Sequence, residues 1–289
     1  GIQRSDRPTI EKTWAVVAAA DHGVVAEGVS VFPQAVTAQM VANFLSGGAA
    51  ISALTRQVGA RVKIVDAGVA NPIPGDVTQL VDLKLADGTA NFTLGPAMPD
   101  EHAIEILDRG VGLASELAGE GADLIAIGEM GIGNTTAASA ITAVMLDESP
   151  KTVTGNGTGI DEITRLKKAR VVSSAIQANQ PDRADPVGVL AGVGGYEIGL
   201  LAGVVLGAAR ARILVVLDGF ISTSAALLTA AIAPVTAQYM VASHKSVEPG
   251  HILALEHLGL TPAIDLDMRL GEASGAALAI PIIESAVRL

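Results

Sequence analysis

Five acidic residues and one lysine stand where the chain could use them for chemistry. Glu129 lies inside Leu124-Ile125-Ala126-Ile127-Gly128-Glu129-Met130-Gly131-Ile132-Gly133-Asn134-Thr135-Thr136-Ala137-Ala138, an apolar run that passes through glycines into an Ala-rich run. That pattern predicts a strand, a tight turn and a helix start, where glycines admit a ligand and free N–H groups near Asn134, Thr135 and Thr136 suit a phosphate. A closely packed strand-to-helix turn with a Thr cap is the plain alternative, but such a turn gains nothing from a charge at Glu129. Asp21, Asp66 and Asp218 repeat the arrangement, each ending an apolar run beside a glycine. In open parallel sheets ligands bind beyond the carboxyl ends of the strands, so these acids are expected to converge on one crevice. Glu272 follows the predicted strand Ile264 to Met268 and opens a Gly/Ala-rich helix. There it reads either as a carboxylate complementing the helix dipole or as a catalytic base with room left by Gly271 and Gly275.

A second stretch, Thr154-Gly155-Asn156-Gly157-Thr158-Gly159, carries glycine at alternate positions and can be neither helix nor good strand. It predicts a loop with exposed N–H groups, either an anion cradle or a flexible surface loop. Lys167 and Lys168 sit just beyond, on a predicted helix running to about Ala178, so a lysine facing back could pair with a phosphate; a solvated lysine pair is the alternative.

The elements needed to hold these residues are legible as apolar runs. Predicted strands are Trp14 to Ala20, Val62 to Val65, Leu80 to Leu85, the run ending at Gly128-Glu129, Ile213 to Leu217, Gln238 to Ala242 and Ile264 to Met268. Helices are expected over Thr37 to Leu45, Ala49 to Val58, Pro99 to Leu117, Thr135 to Met145, Tyr196 to Ala209, Ser224 to Ile232 and Pro249 to Leu258, with Lys151 to Ile163 a loop and Ser243 to Ser246 a polar turn. Gly199, Gly203 and Gly207, four apart, predict close helix packing and no chemistry. The 289 residues are 49% hydrophobic yet hold only one Trp, two Tyr and four Phe, so the core must be Ala, Val, Ile and Leu. With 32 glycines, that is the composition of a doubly wound, Rossmann-like parallel α/β sheet with helices on both faces.

No cysteine is present, which excludes disulfides, thiolate metal sites and a Cys nucleophile, and suits the cytoplasm. A net charge of −11 argues against nucleic acid and anionic membranes as partners. The longest uncharged stretch, Phe220 to Ser243, is too polar for a membrane span and is split by Pro234; no secretory leader is expected either, since the run Trp14 to Ala20 is short and lacks a basic flank.

Taken together, the motifs resemble those of the nicotinate-nucleotide:dimethylbenzimidazole phosphoribosyltransferase family, which makes the lower ligand of cobalamin. They are Ala20-Asp21-His22-Gly23-Val24 with Glu27-Gly28-Val29, Gly128 to Thr136, Val193-Gly194-Gly195-Tyr196-Glu197, Leu217-Asp218-Gly219-Phe220-Ile221-Ser222, Ser243-His244-Lys245-Ser246-Val247-Glu248-Pro249-Gly250, and Met268-Arg269-Leu270-Gly271-Glu272-Ala273-Ser274-Gly275. The resemblance spans essentially the whole chain and implies a single α/β domain over 1–289. Family members extend further at both ends, where helices form a small second domain, so that part is expected to be largely absent here. The implied reaction converts nicotinate mononucleotide and 5,6-dimethylbenzimidazole to α-ribazole 5′-phosphate and nicotinate, with inversion at the anomeric carbon, no metal, no cofactor and a homodimeric enzyme. It implies that Glu272 is the general base, that Glu129 and Gly131 lie beside the reacting groups, and that Ser246 lines the same pocket. The phosphate is implied among Gly133 to Thr136, Gly157, Thr158, Gly159 and Lys168, and the aromatic base near Phe32 and Met40. An NAD-dependent oxidoreductase would use a similar fold, but its first strand should lead into Gly-x-Gly-x-x-Gly rather than Asp21-His22-Gly23; a nucleotide-binding protein without catalysis would tolerate loss of Glu272.

Overall fold

The computed structural model describes residues 2–157 and 159–289. Its frame is a six-stranded, all-parallel sheet built from β1 (Thr13–Ala20), β2 (Arg61–Gly68), β3 (Leu80–Asp82), β4 (Leu124–Met130), β5 (Leu214–Leu217) and β6 (Met240–Ala242). The strand order is β3-β2-β1-β4-β5-β6, so the direction of winding reverses between β1 and β4. That reversal opens a crevice at the carboxyl edge, where neighbouring loops depart in opposite directions.

Every residue of β1 is buried, because successive side chains serve opposite helical layers. Trp14, Val16, Ala18 and Ala20 enter a core shared with α3 (Asp100–Gly119), α4 (Asn134–Leu146), α6 (Glu162–Asn179), α7 (Pro186–Val193), α8 (Tyr196–Ala211) and α9 (Phe220–Ile232). Ala15, Val17 and Ala19 enter a second core with α1 (Ala35–Leu45), α2 (Ala50–Val58) and α11 (Ser274–Arg288). The doubly wound expectation therefore holds.

The small-residue stripe of α8 does the packing the sequence predicts. A Cβ on Gly203 would lie 2.1 Å from the Leu107 carbonyl oxygen, so α3 and α8 approach backbone to backbone only because that position is glycine.

Several local expectations are corrected. Ser243 to Ser246 is not merely a turn: β7 (His244–Ser246) pairs in parallel with β8 (Ile264–Met268) as a separate two-stranded sheet, with α10 (Pro249–Leu258) as its crossover. The polar residues His244 and Ser246 are buried in this strand because they are hydrogen-bonded there, His244 to Ser243 and the Ser246 N–H to His251. The stretch from Lys151 is helical at first, in a single turn α5 (Pro150–Val153) capped by Ser149, before the loop begins. The helix after Asp218 starts at Phe220, since Gly219 ends the extended segment, and residues Pro234–Tyr239 form a 3-10 turn that leaves only Met240–Ala242 as strand.

Candidate active site

One cleft lies at the carboxyl edge of the sheet, enclosed by the turn after β4, the start of α9 after β5, β7 with the residues leading into α10, the segment after β8, and Gly157. Glu129, Gly131, Asn134 and Thr135 line one wall, Gly219, Phe220 and Ile221 the floor, and His244, Ser246, Glu248, Arg269, Leu270 and Gly271 the other wall. A second cavity opens from it beneath the glycine loop, lined by Gly155, Gly157, Gly159, Arg165, Glu248 and Arg269.

The acids at one end are held far from their solution behaviour. Glu129 is buried, and its carboxyl is pushed up to about 8, first by loss of water, then by the charges of Glu197 and Asp218; the Asn134 amide, which donates to Oε2, opposes the rise. Glu272 stands directly behind Gly271, 6% exposed, and burial raises its carboxyl to about 7. Its backbone N–H donates to the Glu129 carbonyl at 3.2 Å, tying the two segments together. Close approach there requires Gly128, where a Cβ would lie 2.0 Å from the Ala273 nitrogen.

The backbone around Glu272 is strained. Gly271, Glu272 and Ala273 take φ values of +80°, +62° and +62°, and left-handed conformation at two consecutive non-glycine residues costs on the order of 1–3 kcal/mol each. Asp218 holds this turn: its carboxylate accepts from the Ala276 N–H at 3.0 Å, anchoring the first turn of α11. Burial raises Asp218 to about 7 even so.

The cleft's other end holds a buried cation. Lys168 is 1% exposed and points back from α6 to donate to Thr135 Oγ1 at 2.7 Å, which singles it out from the neighbouring Lys167. Burial pulls its ammonium down to about 8, partly offset by the Glu248 charge. Thr135 lies in the first turn of α4, whose positive dipole end faces the cleft, while the Asn134 and Thr136 N–H groups are bonded to Gly131 and Gly133. Gly157 meets this group from the loop, its N–H donating to Glu248 Oε1 at 2.7 Å.

The sequence-predicted residues divide accordingly. Glu129, Gly131, Asn134, Thr135, Gly157 and Ser246 line the cleft, Gly159 lines the adjoining cavity, and Lys168 and Glu272 back its two ends. Gly133 caps α4 in a left-handed conformation, and Thr136 is fully buried behind the wall. Thr158 lies outside the described residues. The expectation that four acids converge on the crevice is corrected: among the described residues of the cleft wall, only Glu129 represents them. Asp21 accepts from the Ala70 N–H, Asp66 from Gly68 and Val69, and Asp218 from α11, because loops leaving strand ends carry N–H groups that need acceptors. Phe32 and Met40 do not line the cleft; Met40 packs towards the second core, although Thr37, one turn earlier on α1, accepts from the Ile132 N–H of the cleft loop at 3.2 Å.

Sequence reasoning missed His244, Glu248 and Arg269 as cleft residues, although all three lie in motifs singled out above. It also missed a buried network beneath the cleft. His251 Nδ1 accepts from the Ser246 N–H at 2.9 Å, and its Nε2 meets Thr223 Oγ1 at 3.0 Å; burial lowers His244 to about 4 and His251 to about 3, so both rings are neutral near pH 7. His22 Nε2 and Glu197 Oε1, 2.6 Å apart and fully buried, join the loop after β1 to α8.

A Rossmann-type sheet, a buried lysine at a helix N-terminus and two carboxyls poised near neutrality at the switch point define an enzyme class that handles a phosphorylated small molecule. The comparisons agree. A family model described as phosphoribosyltransferase matches residues 1–289. The nicotinate-nucleotide–dimethylbenzimidazole phosphoribosyltransferase of Desulforamulus reducens is 52% identical over 290 residues, covering 100% of this chain and 82% of its own length. That of Syntrophotalea carbinolica is 51% identical with the same coverage. The crystal structure of CobT from Thermus thermophilus superposes with a TM-score of 0.95 at 45% identity, over 99% of this chain and 86% of that one. The chain belongs to the nicotinate-nucleotide–dimethylbenzimidazole phosphoribosyltransferase family.

Proposed function

We propose that this chain transfers the phosphoribosyl group of nicotinate mononucleotide to 5,6-dimethylbenzimidazole, releasing nicotinate and α-ribazole 5′-phosphate. The observation that carries this reading is the spacing of opposite functions along one cleft: an anion site at Lys168 and Thr135, and carboxyls raised to about 7 and about 8 at Glu272 and Glu129. With the 5′-phosphate at the first end, the anomeric carbon reaches the second. The benzimidazole nitrogen attacks C1′ from the face opposite the leaving ring, and the C1′–N bond to nicotinate breaks with its electron pair returning to the ring nitrogen. Nicotinate leaves a pyridinium as a neutral nitrogen and needs no proton, so the demand on the protein is removal of the N–H proton of the incoming base. Glu272 takes that proton; a carboxyl near pH 7 is matched to it, and such catalysis is worth ~10²–10⁴-fold. Glu129 lies beside the reacting groups, Gly131 and Ser246 line their pocket, and Asn134, Thr135, Gly157, Gly159 and Lys168 receive the phosphate.

Incubating the purified chain with both substrates and resolving the products by chromatography tests the reading: α-ribazole 5′-phosphate and nicotinate should accumulate in equal amounts. Turnover of nicotinate mononucleotide without incorporation of the base would refute it. The dinucleotide-binding alternative is disfavoured by the segment after β1, where Asp21-His22-Gly23, with His22 paired to buried Glu197, stands in place of Gly-x-Gly-x-x-Gly. Thermal stabilisation by NAD alone would restore it.

The reading extends to a cytoplasmic homodimer. Leu266, Leu270 and Val247 are exposed beside the cleft, an apolar rim suited to a second copy, and no helix among the described residues is long and apolar enough to cross a membrane. A fully active monomer in sedimentation at micromolar concentration would count against the dimer.

A further inference from the structure

Glu248 is a carboxylate in the wrong place for an anion site. It is 4% exposed, fixed at the N-cap of α10 by Pro249 and by its own N–H on Ser246 Oγ, and it lines both the cleft and the cavity beneath the glycine loop. Oε1 occupies the Gly157 N–H, a donor that a nucleotide phosphate in this cradle would need. Oε2 is buried and has no hydrogen-bond partner among the described residues. Lys168, bonded to Thr135, also feels the Glu248 charge, so the carboxylate acts on the same lysine that would hold a phosphate. A dianion and this carboxylate cannot share one N–H donor, and at such range they repel strongly in a site shielded from water. The adjoining cavity offers an exit: Arg269, exposed on its wall, makes no hydrogen bond or ion pair among the described residues, whereas Arg165 on the same wall is already paired with Glu162.

We propose that Glu248 is a resident anion of the phosphate cradle, which the substrate phosphate displaces towards Arg269 and which returns to evict the product phosphate. The exchange keeps a negative charge near Lys168 in both states. It also lowers affinity for substrate and product alike, which favours release of a product that carries the same phosphate. This inference rests on the assignment of the phosphate to Lys168 and Gly157.

The test is calorimetric titration of the full chain with nicotinate mononucleotide and with inorganic phosphate, for the parent, Glu248→Gln, Arg269→Gln and the double variant. Glu248→Gln keeps an acceptor for the Gly157 N–H but removes the charge, so both ligands should bind roughly five- to tenfold tighter. Arg269→Gln should weaken nucleotide binding in the parent and have no effect in the Glu248→Gln background, because it acts only by receiving Glu248. Unchanged or weakened binding in Glu248→Gln, with an unaltered melting temperature, would overturn the proposal and make Glu248 a direct contact of the nucleotide. An equal loss from Arg269→Gln in both backgrounds would overturn the exchange and make Arg269 a ligand of the substrate. If neither ligand binds the parent chain, the fault lies in the phosphate assignment; if both bind and Glu248→Gln does not tighten them, it lies in this inference alone.

Discussion

Replacing Glu272 by Gln should make the protein more stable and nearly inactive at the same pH. Burial raises the Glu272 carboxyl from 4.5 to about 7, so ionising it in the folded protein is less favourable than in the unfolded chain. The difference corresponds to about 3 kcal/mol as an upper value. Because the folded pKa lies above the unfolded one, no penalty exists below about pH 4.5; it grows as pH rises and is complete above about pH 7. Gln has the same shape and no charge, so the variant should gain ~1–3 kcal/mol at about pH 8 and nothing at about pH 4.5, which for a chain of this size is roughly 2–6 °C in melting temperature. Turnover should fall by ~10²–10⁴-fold, the loss expected of a general base. The parent's activity should decline as pH drops through about 7, where the carboxylate becomes protonated, and the variant's residual rate should lack that limb. Calorimetry at both pH values, with product chromatography from about pH 5 to about pH 9, reads both halves. Near-normal turnover in the variant would refute the assignment and make Glu129, raised to about 8, the next base to test. A melting temperature that moves equally at both pH values would show that the stability argument, not the catalytic one, is wrong.

Two other outcomes follow from the site. Gly128→Ala puts a methyl into the Ala273 backbone, so it should push the Glu272 turn off β4 and reduce kcat far more than nucleotide affinity; unchanged kcat by steady-state assay would mean the turn can relax. Lys168→Ala should weaken binding of nicotinate mononucleotide by ~1–3 kcal/mol while leaving the weaker binding of the dephosphorylated riboside untouched, and equal losses for both in titration would remove the phosphate assignment.

Each carboxylate that sequence reading picked out at a strand end is buried or nearly so, but burial alone does not tell a site residue from a loop anchor. Asp66 and Glu129 look alike in sequence, an acid near a glycine after an apolar run. Asp66 accepts from the N–H groups of Gly68 and Val69 just beyond it, whereas Glu129, with Gly131 and Gly133 following, faces the cleft. The distinction depends on which loop N–H groups lack partners, and that is settled only when the chain has closed.

The amino-acid order by itself determined the parallel α/β frame, because continuous apolar runs such as Trp14 to Ala20 and small residues spaced four apart along α8 are local patterns with one packed solution. It also determined the motifs that mark the family, with the glycine turn leading to Asn134 and Thr136 among them. Only the tertiary structure decided that Lys168 rather than Lys167 turns inward, that Asp218 anchors α11 instead of facing the cleft, and that Glu248 reaches Gly157 across 91 residues of chain. Those outcomes rest on contacts between segments far apart in sequence, where burial and the need to pair every buried polar group, rather than local propensity, choose the partner.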